Sequence, residues 1–314
     1  MRVVSLFSGA GGLDLGLIQA GHEIIWANDN DPDAVNTYKI NVGDHCILGD
    51  IENILDSEIP KSDIVVGGFP CQGFSLANMK RSGDDSRNKL YLQFLRVVTL
   101  TKPPFFLAEN VKGILSLEGG EAIKKIINDF ESAGYHVKYK LFNTANFGVP
   151  QTRSRVIIFG TRNDIQVNFE FPLPTHSKVG AGLPVWVNVS EAIEKIPDPD
   201  LYPNAVPNQI YSRYKITNRN FTGHRTTDPS KPSPTILARG NGGGGVCAIQ
   251  HPNGKRRLSV RESASIQTFP ENFTFLGSMN SQYRQVGNAV PVKFAKTLGM
   301  KIKDTEKLLR QVKK

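Results

Sequence analysis

Arg2-Val3-Val4-Ser5-Leu6-Phe7-Ser8-Gly9-Ala10-Gly11-Gly12 opens the chain with an apolar strand pattern that runs into a glycine-rich turn. Leu13 to Ala20 then has helical spacing, and Glu23 to Ala27 reads as a second strand ending at Asn28-Asp29-Asn30-Asp31. A strand, tight turn, helix and strand closed by an acid is the layout of a nucleotide-binding half of an α/β sheet. The glycines do not spell the dinucleotide fingerprint: counting G-x-G-x-x-G from Gly9 puts Asp14 where the third glycine belongs. A phosphate-loop lysine is also missing. The turn therefore suits an adenosine-bearing ligand without a pyrophosphate, and a nicotinamide oxidoreductase is disfavoured.

Moving outward, the alternation of strands and helices continues. Asp33 to Asn41 reads as a helix and Cys46 to Leu48 as a short strand ending in Gly49-Asp50-Ile51. Ile64-Val65-Val66 is a buried strand that runs into Gly67-Gly68-Phe69-Pro70-Cys71-Gln72-Gly73-Phe74-Ser75. The cysteine thus sits on a loop at the carboxyl end of a strand, the edge where open α/β sheets bind ligands. A lone cysteine is more often a buried structural residue. Here Pro70 stiffens the approach and the glycines allow close contact, which suits a nucleophile better than a core strand. Residues 76–89 are polar and read as a mobile lid. Leu90 to Leu100 is helical, Phe105 to Ala108 is a strand leading to Glu109-Asn110-Val111, and Ala122 to Ala133 is helical. Val137 to Phe142 is a strand, and Gln151-Thr152-Arg153-Ser154-Arg155 precedes the strand Val156 to Gly160. The pattern predicts a doubly wound, mainly parallel α/β sheet.

After Phe171 the character changes. Pro172, Pro174, Pro184, Pro197, Pro199, Pro203 and Pro207 break any regular period, and a glycine run follows at 240–245, interrupted by Asn241. This predicts a second, smaller, irregular β-rich module over 172–256. Helical spacing returns at Arg257 to Phe269, and Val292 to Leu309 reads as a closing helix.

Charge divides the chain in the same place. Net charge is +9, yet residues 1–171 hold 17 basic and 20 acidic side chains, while 172–314 hold 21 and 9. A near-neutral half joined to a basic half fits a polyanion met on one side, with nucleic acid the natural partner. No apolar run reaches the ~18 residues of a membrane span, and the first residues lack the apolar region of a signal peptide. The three cysteines, Cys46, Cys71 and Cys247, are too scattered for a disulfide framework or a metal site. These features predict a cytoplasmic protein with no membrane partner and no metal, and with a usable thiol.

Phe7 to Gly12, Asn28-Asp29, Gly49 to Ile51, Gly68 to Ser75, Glu109 to Val111, Gln151 to Arg155, Arg257 to Pro270 and Gly287-Asn288-Ala289-Val290, in that order, resemble the DNA cytosine-5 methyltransferase family, of the bacterial modification-methylase type. The resemblance implies S-adenosyl-L-methionine as cofactor, S-adenosyl-L-homocysteine as product, and double-stranded DNA as substrate. It assigns Cys71 as the nucleophile on cytosine carbon-6, Glu109 as the acid at ring nitrogen-3 and the exocyclic amine, Arg155 as the cation at the carbonyl, and Arg153 as its support. It places Phe7, Gly9, Gly11, Gly12, Asp29, Asp50, Ile51, Pro70, Leu90, Asn288 and Val290 around the cofactor. Because Asn288 and Val290 come from the far end, the catalytic domain is expected over 1–171 plus 271–314, with 257–270 as a connecting helix.

The unmatched stretch, 172–256, is where the family's target-recognition domain varies. Some of its basic residues, with Arg256 among the candidates, are expected to hold phosphates, and one or two arginines to reach guanine edges in the major groove. Gln72 and Ser75 on the cysteine loop, and Arg239 and Gly242 beyond it, are expected against DNA. The target cytosine is expected to be flipped out of the duplex. The family resemblance also implies a monomer accompanied genetically by a restriction endonuclease. Three departures stand out. Asp29 replaces a longer acid, Asn30 replaces an aromatic, and Ser265 replaces an arginine, so weaker cofactor contacts and a missing ion pair are expected. A relative that methylates RNA and a degenerate DNA-docking protein are the alternatives. The length of 172–256 and the intact Cys71, Glu109 and Arg155 argue against them.

Overall fold

A computed structural model describes residues 1–69, 86–180, 182–213, 226–238 and 249–312. Seven strands form one sheet: β1 (Arg2–Leu6), β2 (Glu23–Asp29), β3 (Cys46–Leu48), β4 (Ile64–Gly67), β5 (Phe105–Val111), β6 (Tyr135–Asn143) and β7 (Ser154–Arg162). Their order across the sheet is β3-β2-β1-β4-β5-β7-β6. From β1 the chain winds outward through β2 and β3, then returns to the other side of β1 to lay down β4 and β5. The reversal leaves a crevice at the carboxyl ends of β1 and β4, where such sheets bind ligands.

The sheet is mixed rather than uniformly parallel. β1 to β5 pair in parallel, but β7 runs antiparallel to both β5 and β6. The reason is the link between β6 and β7. It holds only a short 3-10 turn at Thr144–Phe147, and a parallel return needs a crossover of a dozen or more residues. The consequence is functional. The start of β7, with Arg155, lies at the same edge as the carboxyl ends of β4 and β5.

Alternating side chains bury both faces of β1. Val3 joins a core with Leu13, Leu17, Phe294, Leu298 and Ile302, whereas Val4 and Leu6 join one with Phe94, Phe106, Ile126 and Phe130. The first face is covered by α1 (Gly12–Gln19) and α8 (Val292–Val312), the second by α3 (Ser86–Thr101) and α4 (Glu121–Ser132). α1 and α8 touch at backbone distance: a Cβ on Gly16 would lie 2.4 Å from Ala295 Cβ and 2.6 Å from the Val292 carbonyl. The last helix of the chain is thereby locked to the first. α2 (Pro32–Asn41) is capped by the Asp31 carboxylate, which accepts from the Asp33 and Ala34 amides.

Several expected elements shift. The last four residues of the polar run 76–89 form the first turn of α3, and residues 70–85 lie outside the described residues. The helix expected over 257–269 shortens to α6 (Val260–Ile266). Ser259 caps it in a capping box with Glu262, so 257–259 stay extended. α7 (Met279–Asn288) was not legible as a helix, because its buried side includes Ser281, Gln282 and Gln285. Over 172–256 the described residues contain no strand, only isolated bridges such as Ser177 with Val185 and Thr226 with Gln250, and the short helix α5 (Val189–Ile193). Proline removes the amide donors a ladder needs, which accounts for the missing strands. Val189, Ile193, Ile236 and Ile249 pack in one core with Leu258, Val260, Tyr283 and Val286, so this stretch is cemented to α6 and α7.

Candidate active site

The crevice opens into a cavity of about 730 Å³. Its floor is the glycine turn after β1. Phe7 adopts φ 55°, a left-handed conformation that a side chain rarely takes, and so bends the chain away from the strand. The Gly9 amide then donates to Asp29 Oδ2 at 2.8 Å, and the Asp31 amide to Asp29 Oδ1 at 2.9 Å. Burial raises the carboxyl pKa of Asp29, and these amide bonds oppose the shift. Asn28 donates to the Ile47 and Gly49 carbonyls at 3.1 and 2.9 Å, tying the ends of β2 and β3 together. Asp50 follows on the wall and caps a short turn by accepting from the Glu52 amide at 3.0 Å.

Phe7, Gly9, Gly12, Asp29, Asp50, Ile51 and Leu90 line this cavity, and Asn288 and Val290 complete it from the end of α7 and just beyond. Gly11 does not line it. It sits at φ 88°, and a Cβ there would lie 2.9 Å from Tyr38 Cδ2, so this glycine is needed for packing on α2 rather than for ligand approach. Pro70, Cys71, Gln72, Ser75, Arg239 and Gly242 fall outside the described residues.

The same cavity receives Glu109, Arg153 and Arg155. The β5–β7 register pairs Glu109 with Ile157 and Val111 with Arg155, which sets Arg155 diagonally beside Glu109 on one face. The Arg155 guanidinium and the Glu109 carboxylate form an ion pair, with side chains only 10% and 12% exposed. Gly68 makes room for it: a Cβ there would lie 2.9 Å from Glu109 Oε2. Arg155 also donates to the Ser154 carbonyl at 2.8 Å.

Two roles were not legible in the sequence. Asn110 is 2% exposed and donates to the Phe69 carbonyl at 2.9 Å, so it anchors the residue from which the Pro70-Cys71 loop departs. Gln151 is fully buried, donates to Gln267 Oε1 at 2.8 Å and accepts from the Ile236 amide at 2.9 Å. Both lie inside quoted motifs, but only the sheet register and the docking of 233–238 reveal what they hold.

Arg153 differs from Arg155. It is 1% exposed and donates to the Ile236 carbonyl at 2.9 Å and the Gly287 carbonyl at 2.8 Å. Burial, then the nearby Arg155 charge, push its pKa well below the ordinary arginine value, with Glu109 opposing. Arg256 is also not a surface cation. It makes a bidentate pair with Glu262, both bonds at 2.8 Å, with side chains 5% and 2% exposed. This removes it from the candidates for holding phosphate. Ser265 donates to the Ala192 carbonyl at 2.6 Å, and the acid of α6, Glu262, is paired by Arg256.

Asp14 lies beneath the turn. It accepts from Ser5 at 2.7 Å and from Tyr38 at 2.8 Å, and burial raises its carboxyl to about 6. Among the described residues, no group of three or more His, Cys, Asp or Glu side chains could hold a metal ion. No helix among them is long and apolar enough to cross a membrane.

A doubly wound sheet with a glycine turn, two strand-end acids and an acid–arginine pair in one cavity is the architecture of an α/β enzyme with its site at the strand ends. Residues 1–304 match the C-5 cytosine-specific DNA methylase family. The chain belongs to that family and is a DNA cytosine-5-methyltransferase. It is 42% identical to the Type II methyltransferase M.NgoFVII of Neisseria gonorrhoeae, over 92% of this chain and 83% of the relative. It is 38% identical to M.FnuDI of Fusobacterium nucleatum, over 100% and 98%. Its fold is similar to that of the S. pombe Dnmt2 methyltransferase, at a TM-score of 0.70 and 19% identity over 98% of this chain and 99% of that one.

Proposed function

We propose that the chain methylates carbon-5 of a flipped cytosine at a specific site in double-stranded DNA, through a covalent Cys71 adduct, as the modification half of a Type II restriction-modification system. The observation that carries this reading is the Glu109–Arg155 pair, set in the same cavity as the glycine turn and the acids Asp29 and Asp50. The residues fit S-adenosyl-L-methionine. Gly9 leaves open space over the turn, two carboxylates line the wall, and Gln285 Oε1 is a buried acceptor with no hydrogen-bond partner among the described residues. When bound, that cofactor supplies an electrophilic methyl group.

The chain's own residues do the rest. Cytosine carbon-5 is a poor nucleophile. Addition of the Cys71 thiolate to carbon-6 would make an enamine with a nucleophilic carbon-5; after that carbon has taken the methyl group, with S-adenosyl-L-homocysteine as the leaving group, loss of the carbon-5 proton would expel the thiolate. Glu109 hydrogen-bonds ring nitrogen-3 and the exocyclic amine as negative charge arrives. Arg155 meets the carbonyl oxygen, where a fixed cation costs no reorganisation. Asn110 fixes the root of the cysteine loop at Phe69. The target-recognition role falls to 172–256, with Lys178, Lys195 and Lys255 on its exposed surface. The Type II relatives support a place in a restriction-modification system; in this reading the enzyme acts as a monomer in the cytoplasm, with the endonuclease a genetic rather than physical partner.

Bisulfite sequencing of DNA from cells expressing the chain tests the reading, because it reports activity and site together. Conversion-resistant cytosines at one recurring sequence support it. Their absence from DNA, together with methylation of RNA by the purified protein, would replace it.

A further inference from the structure

Three walls of the cavity meet at one guanidinium. Ile236 uses its carbonyl to accept from Arg153 Nη1 and its amide to donate to Gln151 Oε1, so both its backbone groups are taken by side chains leading into β7. Main-chain bonds extend this docking: the Thr152 amide donates to the Ser233 carbonyl at 2.8 Å, and the Ser233 amide to the Pro150 carbonyl at 2.9 Å. Arg153 Nη2 reaches the Gly287 carbonyl in the last turn of α7, next to Asn288. Gly287 in turn lies against the recognition segment, where a Cβ would be 2.4 Å from the Leu237 carbonyl. Leu237 and Ala238 line the cavity and lead directly into 239–248.

A buried cation spanning three backbone segments is costly unless its bonds are kept, so the three segments move as one. We propose that Arg153 is a positioning residue that couples the recognition segment at Ile236 to the cofactor-side helix end at Gly287, so that DNA and cofactor each strengthen binding of the other. Gln151 is its second grip on Ile236. The inference rests on the reading that the cavity takes S-adenosyl-L-methionine and a DNA cytosine. It assigns Arg153 a role apart from touching the reacting base.

The test is a linkage measurement. The affinity for S-adenosyl-L-homocysteine is measured by calorimetry with and without cognate duplex, for the wild type, Arg153→Lys and Gln151→Leu. The wild type should bind the product at least ~5-fold more tightly with DNA, within the usual range of coupling. Arg153→Lys should bring that ratio to within twofold of one. Should Arg153→Lys fail to fold, Gln151→Leu carries the same expectation. A wild type that binds both ligands independently overturns the coupling, and an unchanged ratio in a folded variant overturns the assignment. A wild type that binds neither ligand overturns the reading of the cavity instead. Hydrogen exchange of the Ile236 amide needs no variant: exchange as free as in an exposed loop would contradict the clamp.

Discussion

Gly68→Ala perturbs the site by one methyl group at a known place. The new Cβ would lie 2.9 Å from Glu109 Oε2, while ordinary contact begins at 3.4 Å, so the carboxylate must withdraw by about 0.5 Å. Glu109 yields because it is the end of a flexible side chain, and thermal stability should change little. Its ion pair with Arg155 and its aim at the base should both suffer. A misplacement of ~1 Å costs on the order of a hundredfold in rate, so half of that predicts a loss of roughly tenfold, or ~1.4 kcal/mol of activation free energy. Single-turnover methyl transfer at saturating DNA and cofactor reads this step alone. An unchanged rate, or a loss confined to cofactor affinity, would refute the claim that the Glu109 carboxylate position sets the chemistry.

Gly16→Ala should destabilise the protein by ~1–3 kcal/mol through overpacking of the α1–α8 contact, seen as a lower denaturant midpoint. Glu262→Gln should cost more, ~3–5 kcal/mol, because Arg256 would be left buried with only the longer Asp198 contact, at 3.8 Å, against its charge; a loss under ~1 kcal/mol in urea unfolding would contradict this. Asp14 has a carboxyl raised from 3.8 to about 6 in the folded state, so its contribution is fully present below 3.8 and is lost as pH rises from there through 6. Relative to Asp14→Asn, the wild type should therefore lose roughly 2 kcal/mol of stability between pH 4 and pH 8, and parallel stability profiles for the two would show that Asp14 does not titrate there.

Where a residue's role follows from its neighbours in sequence, the chain could be read directly. Apolar runs such as Ile64–Val66 and Phe105–Ala108 announced buried strands, and the strand-end acids Asp29 and Asp50 announced a pocket that the structure brings to one cavity. Roles fixed by long-range register were hidden. The short β6–β7 link makes β7 antiparallel to β6, but nothing local says that β7 inserts beside β5, and that placement carries Arg155 back to Glu109. Gly11 looked like the other turn glycines, but its φ of 88° and the nearby Tyr38 ring give it a packing duty. α7 escaped detection because polar side chains line its buried face, and their hydrogen bonds, such as Gln285 to the Leu276 carbonyl, replace the apolar stripe. Arg256 counted as a surface cation until its pairing with Glu262 was visible. The basic surplus of 172–314 still stands as an electrostatic statement, though part of it is internal.

The central claim is that methyl transfer proceeds through a bond between Cys71 and cytosine carbon-6. Duplex DNA carrying 5-fluorocytosine at the target position tests it most directly, because fluorine cannot leave as the carbon-5 proton does and elimination of the thiolate stalls. Incubation with S-adenosyl-L-methionine should give a complex stable to denaturing electrophoresis, formed by the wild type and lost in Cys71→Ser. An enzyme that methylates ordinary cytosine yet forms no such complex, or a Cys71→Ser variant that still forms one, would contradict the account.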